Sequence, residues 1–150
     1  MTILAFYFLL WPGEYILLSA EYATPFWLQD IHLFQGLPKH HLTTCTMAKL
    51  WTATYVGLEF TNQKNGIKGE IIGLGKSGSN TWCPMLAVIH CIIALYWVHA
   101  PPTMPLHAYS TAGHWYGVTA SHITAQLQVA ALTMGTQYGL LPANISTCSL

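Results

Sequence analysis

Histidine–cysteine groupings, a glycine-rich turn and a pair of turn lysines are where this chain's residue types could support chemistry. His40-His41 with Cys45, and His90-Cys91 with Cys83, hold the imidazole and thiol donors that bind zinc. Adjacent side chains on a helix diverge, however. No carboxylate or third histidine stands at ligand spacing, and no C-x-x-C pair occurs. These residues read as loop and core, and no metal is expected. His107, His114 and His122 stand singly. Gly73-Leu74-Gly75-Lys76-Ser77 has the ending of a phosphate-binding loop, but the pattern needs a glycine where Glu70 stands, and its helix should follow at once. That reading is rejected, and no nucleotide or other small-molecule ligand or cofactor is expected. Lys64-Asn65-Gly66-Ile67-Lys68 is different: Asn-Gly is the strongest short hairpin signal, and it sets two long cationic side chains at a turn. By themselves such lysines are ordinary surface residues.

Composition narrows the possibilities. Arginine, whose planar fork grips phosphate with two parallel hydrogen bonds, is absent from all 150 residues. Charged residues make up 7%, against roughly 25% in an ordinary soluble domain. Five lysines (39, 49, 64, 68 and 76) balance five acids (Glu14, Glu21, Asp30, Glu59 and Glu70), so no basic footprint announces a nucleic-acid partner. Near-zero charge and a mean hydropathy of +0.39 predict poor solubility. The longest apolar run, 85–100, is interrupted by His90 and His99 and falls short of the roughly 20 residues a spanning helix needs. Residues 2–11 could serve as the apolar part of a secretion signal, but lack its basic start and cleavage site. A small membrane-associated or secreted hydrophobic protein is therefore the alternative reading. Under it the four cysteines could pair and the Asn144-Ile145-Ser146 sequon would matter; otherwise the thiols are reduced and mostly buried.

The elements that must position these residues follow from periodicity and breakers. Residues 2–11 read as a buried helix stopped by Pro12-Gly13. Strands are expected at 25–33, 53–61 and 67–74, with a loop at 36–46, a hairpin turn at Asn65-Gly66 and a flexible loop at 75–80. Pro84 suits the first position of a helix whose apolar face holds Met85, Val88, Ile89, Ile92, Ile93 and Tyr96, ended by Pro101-Pro102. A second helix opens near Thr119 or Ser121 and presents Ile123, Leu127, Ala130, Ala131 and Met134, with Gly135 as its C-cap. Another element is expected over 144–150. The fold class is α+β, mainly helical with a small three-stranded antiparallel sheet, and the length suits one domain spanning 1–150.

Three segments carry a resemblance: 8–15 (FLLWPGEY), 60–78 (FTNQKNGIKGEIIGLGKSG) and 83–93 (CPMLAVIHCII). Together they resemble the catalytic domain of the tyrosine recombinases, the phage-integrase type, in its eukaryotic transposon-borne branch. The middle segment is the most specific. The resemblance implies DNA cleavage by a tyrosine that forms a 3′-phosphotyrosyl link, without metal or nucleotide. In that family two arginines and a His or Trp stabilise the pentavalent phosphate, and a hairpin lysine protonates the leaving oxygen.

Carried onto this chain, the hairpin lysine is Lys64, and Lys68 and Lys76 would touch DNA. The first arginine falls on Trp11, whose indole cannot bridge two phosphate oxygens; Glu14, which follows it in the pattern, is kept. The second arginine would follow Ser149-Leu150, and the later His or Trp and the tyrosine nucleophile would lie beyond it. Tyr109 and Tyr138 are wrongly placed to substitute. Trp27, His90, Cys91, Gln128 and Cys148 also stand where the pattern suggests arginine, the replacements that cytosine-to-thymine change produces from CGN codons. The resemblance thus implies a degenerate, truncated copy of an enzyme of DNA recombination and integration, inactive, nuclear or cytoplasmic, and binding DNA weakly at best. Its helices would lack partners, so exposed apolar surface and self-association are expected.

Overall fold

A computed structural model describes residues 7–8, 10, 14, 25–36, 39–40, 42, 45–61, 68–139 and 141–146. The first regular feature after residue 25 is a 3-10 turn, Leu28–Asp30, held by the Asp30 carboxylate accepting a 2.8 Å hydrogen bond from the Trp27 backbone N–H. It leads into β1 (Ile31–Phe34) and a two-residue strand, β2 (Lys39–His40). A short helix, α1 (Met47–Thr52), is capped by the Thr46 side chain, which accepts from the Lys49 N–H. Next come β3 (Tyr55–Glu59), β4 (Ile71–Gly75) and the longer helix α2 (Pro84–Trp97). A separate hairpin, β5 (Ala108–Thr111) and β6 (His114–Gly117), precedes α3 (Ala120–Met134). The fold is α+β, as composition and breakers predict.

The main sheet has the order β2-β1-β3-β4 with every described pair antiparallel, so β4 forms one end of it. Register sorts the side chains. Ile31 faces Leu58 and Leu33 faces Val56 across β1 and β3, and all four are buried. Those residues, with Phe26, Leu50, Met85, Ile89 and Ile92, make the core against which α2 lies. On the other face His32 pairs with Glu59, a diagonal cross-strand contact. The same face carries Phe34 edge-on to Tyr55. Tyr55 lies over Gly73, where an added Cβ would collide with its ring; the glycine leaves room for the aromatic cover.

The expected strands are present but shorter. Of residues 25–30, only Trp27 makes a β-bridge, to Pro105, and Leu28–Asp30 form a 3-10 turn held by the Asp30 carboxylate before β1 begins. The region 36–46 is not wholly loop, since Lys39 and Phe34 pair across β2 and β1. The α1 helix and the β5–β6 hairpin had no sequence expectation. The hairpin turns on Ala112 (φ 51°) and Gly113 (φ 79°), both left-handed as a type I′ turn requires. Gly135 is the C-cap of α3, as expected, with its N–H donating to the Ala131 carbonyl, but at φ −79° it is not left-handed; a 3-10 turn Gly135–Tyr138 continues the chain, and Gly139 at φ 70° ends it. The expected apolar face of α3 is only part-buried, with Ile123 and Ala131 inside but Met134 56% exposed. Of the expected 144–150 element, Asn144 ends a 3-10 turn, Pro142–Asn144, residues 145 and 146 have no regular structure, and 147–150 lie outside the described residues. The helix expected at 2–11 and the Asn65-Gly66 turn also lie largely or wholly outside them. Among the described residues no helix is long and apolar enough to cross a membrane.

Candidate nucleic-acid interface

The lysine-bearing connection joins β3 to β4. Antiparallel pairing runs past the strand ends: the Phe60 N–H donates to the Glu70 carbonyl at 2.8 Å and the Gly69 N–H to the Phe60 carbonyl at 2.7 Å. The segment so bracketed carries Lys64 and Lys68. Lys64 and Trp11, the two residues matched to the catalytic pattern, lie outside the described residues. Lys68 and Lys76 are both exposed, one before β4 and one just after it. Glu14 is helical and buried, and its backbone carbonyl accepts from Phe26.

The positions matched to lost arginines are scattered in function. Trp27 is half-buried, bridges Pro105 and donates its backbone N–H to Asp30. His90 is exposed on α2 with its ring edge-on to Trp51 at 5.6 Å. Cys91 is half-buried one residue on, its thiol held above the ordinary range by burial. The Gln128 side-chain amide donates to the Ile145 carbonyl at 3.3 Å, tying α3 to the following segment. Cys148 lies outside the described residues.

Among the described residues no three of His, Cys, Asp and Glu gather as metal ligands. Cys45, Cys83 and Cys91 are free thiols, and only Cys83 is fully buried. Burial works to raise the Cys83 thiol, but hydrogen bonds from Ser77 and from the backbone of Leu86 and Met85 outweigh it and lower the pKa. The buried carboxyl of Asp30 is raised, first by desolvation and further by the charge of Glu59, although the Trp27 N–H and His32 act against this. His32, which pairs with Glu59, lines a cavity of about 390 Å³ together with Leu28, Leu42, Cys45 and Tyr96.

Sequence reasoning missed one surface. On the β5–β6 hairpin Tyr109 faces Tyr116, and their rings stack with centroids 5.6 Å apart and planes 27° apart. His122, in the first turn of α3, sets its ring edge toward Tyr109 at 6.4 Å. The helix start fixes that imidazole: Thr119 Oγ1 accepts from the His122 N–H, and His122 Nδ1 accepts from the Thr119 N–H. The signal was present as a run of Tyr, Ser, Thr, Trp and Tyr around Ala112-Gly113. It was masked because Ala-Gly is a weaker turn pair than Asn-Gly. No protein-family model, curated protein or solved structure was found to match the chain.

Proposed function

We propose that this chain is a degenerate tyrosine-recombinase catalytic domain, derived from an enzyme of DNA recombination and integration and now catalytically inactive. The observation that carries the reading is the 60–78 segment: an antiparallel β3–β4 pair brackets the lysine-bearing connection, as a hairpin general acid requires. The order of elements supports it, with the meander followed by the Pro84 helix and then by α3. The chemistry argues for inactivity. A pentavalent phosphate carries charge that preorganised donors must meet, and Trp11 offers a single N–H where a forked cation belongs. Lys64 could still supply a proton, but a general acid alone leaves the attacking and bridging oxygens without electrostatic help.

Residual DNA contact would run through Lys64, Lys68 and Lys76. With so few cations, counterion release contributes little, so affinity is weak and disappears as salt rises. The large exposed side chains Trp82, Trp97, Leu132, Tyr138 and Leu141 favour self-association in the same preparations. The test uses a duplex DNA at low salt and a nicked suicide substrate. Weak binding that is lost by roughly 0.2 M salt, with no covalent protein–DNA adduct, is the expected result. Salt-independent affinity, or a trapped adduct, would contradict it.

A further inference from the structure

We propose that β4 pairs antiparallel, about Gly73, with β4 of a second copy of the chain, so that two sheets join edge to edge in a closed dimer. This goes beyond the recombinase reading and does not rest on it. Backbone geometry sets which groups the edge offers. The Phe60 N–H donates to the Glu70 carbonyl, which makes these two a hydrogen-bonded cross-strand pair. Hydrogen-bonding direction alternates along an antiparallel strand. With Leu58 opposite Ile72 and Val56 opposite Leu74, Ile72 and Leu74 therefore turn their N–H and C=O groups toward β3. Ile71, Gly73 and Gly75 turn theirs outward, and no strand among the described residues takes them up. The edge is apolar, with Ile71 and Ile72 both 39% exposed and Leu74 packed against the core.

Charge selects the occupant. Glu70 and Lys76 are both exposed and stand at equal distances on either side of Gly73. Among the described residues neither forms an ion pair. A two-fold axis at Gly73 sets Ile71 opposite the partner's Gly75, Ile72 opposite the partner's Leu74 and Glu70 opposite the partner's Lys76. Every outward residue of one strand then meets an outward residue of the other, as the ladder requires. The Ile72–Leu74 and Glu70–Lys76 positions fall on non-hydrogen-bonded pairs, where facing side chains come closest. Because the contact is isologous, each of these pairs forms twice. Parallel pairing in register would put Glu70 beside Glu70 and Lys76 beside Lys76, and like charges directly opposite destabilise. A slip of two residues keeps the direction but separates the opposite charges. An unrelated strand would match only if it carried a base and an acid at the same spacing in reverse order, which a second copy does by symmetry. Within the dimer Lys76 answers the partner's Glu70 instead of phosphate, and Lys68 stays open to DNA.

The experiment measures sedimentation velocity of the full chain over a range of concentrations at low salt, where exposed ion pairs are least screened. A concentration-dependent dimer is expected. Glu70→Lys alone, or Lys76→Glu alone, sets like charges opposite each other twice per dimer and weakens it roughly tenfold, from the usual size of a cross-strand charge pair. Combining Glu70→Lys with Lys76→Glu in one chain restores the dimer, and so does mixing the two single variants. Because a variant could disturb the strand itself, a second measurement uses the unaltered protein. An equal mixture of ordinary and 15N-labelled chains is treated with a carbodiimide, which joins a carboxylate directly to a lysine, and the crosslinked peptides are read by mass spectrometry. A mixed-isotope Glu70–Lys76 crosslink supports the pairing. A chain that stays monomeric, open-ended aggregation in place of a dimer, a dimer indifferent to both charge reversals, or crosslinks between copies that leave out Glu70 and Lys76, overturns it. The suicide-substrate assay is unaffected by any of these results, so failure of the dimer and failure of the recombinase reading are told apart.

Discussion

At the scale of the residue, His107 sits at the base of the β5–β6 hairpin, its carbonyl accepting from the Val118 N–H at 2.9 Å. The ring is buried, and desolvation holds its pKa below the ordinary 6.5, only partly opposed by a hydrogen bond to its own backbone. The unfolded chain therefore takes up a proton here at higher pH than the folded chain does. Stability from this group is full above 6.5 and is lost as pH falls from there through the folded value. Thermal melts at pH 7.5 and pH 5.5 (~6.5 lies between them) should show the wild type losing more on acidification than His107→Gln. Equal losses would show that the ring is not the group responsible. Asp30 acts in the opposite sense, since its raised carboxyl binds a proton more readily in the folded chain.

At the scale of the element, α2 and α3 look alike in sequence and differ in what they bury. Five apolar residues of α2, Met85, Val88, Ile89, Ile92 and Leu95, are buried. In α3 only Ile123 and Ala131 are, while Leu132 is 67% exposed. Ile89→Ala should cost roughly 2–5 kcal/mol, as deletion of a fully buried side chain does. Leu132→Ala should stay within about 0.5 kcal/mol, as surface changes do. Urea unfolding of both variants checks the contrast, and similar losses would mean that α3 is covered in solution.

Much of the architecture was legible in the chain because local chemistry and long-range packing agree there. Pro84 starts α2 where proline pre-sets the first helical turn, and Thr119 caps α3 through its hydroxyl. The burial of α3 was not legible. Periodicity gives Leu127, Ala130 and Met134 a common side, but whether another element covers that side is set by the rest of the chain. The stacked tyrosines were not legible either, since their meeting depends on a two-residue turn built on an alanine at positive φ. At the candidate interface, the antiparallel pairing of β3 with β4 agrees with the hairpin that Asn65-Gly66 signals, while the turn itself lies outside the described residues. The scattering of the arginine-matched positions required the folded arrangement.

At the scale of the whole molecule, charge is segregated: all ten Lys, Asp and Glu residues lie between Glu14 and Lys76. The later half carries no Lys, Arg, Asp or Glu, so little electrostatic repulsion from it keeps copies apart. Within this setting the position of β4 at the end of the sheet has a further consequence. Among the described residues no strand pairs with its other side, which presents backbone N–H and C=O groups along Ile71–Gly75, a strand without a charged side chain and with Ile71 and Ile72 both 39% exposed. Only Glu70 and Lys76, at its two ends, act as gatekeepers against strand-by-strand templating between molecules. Removing both, as Glu70→Ala with Lys76→Ala, should shorten the lag before thioflavin-positive fibrils form. Ile72→Lys should lengthen it, and lag times unaffected by either change would show that fibrils start elsewhere. The two residues that bound the lysine segment's returning strand would then serve the chain chiefly by keeping its copies from stacking without limit.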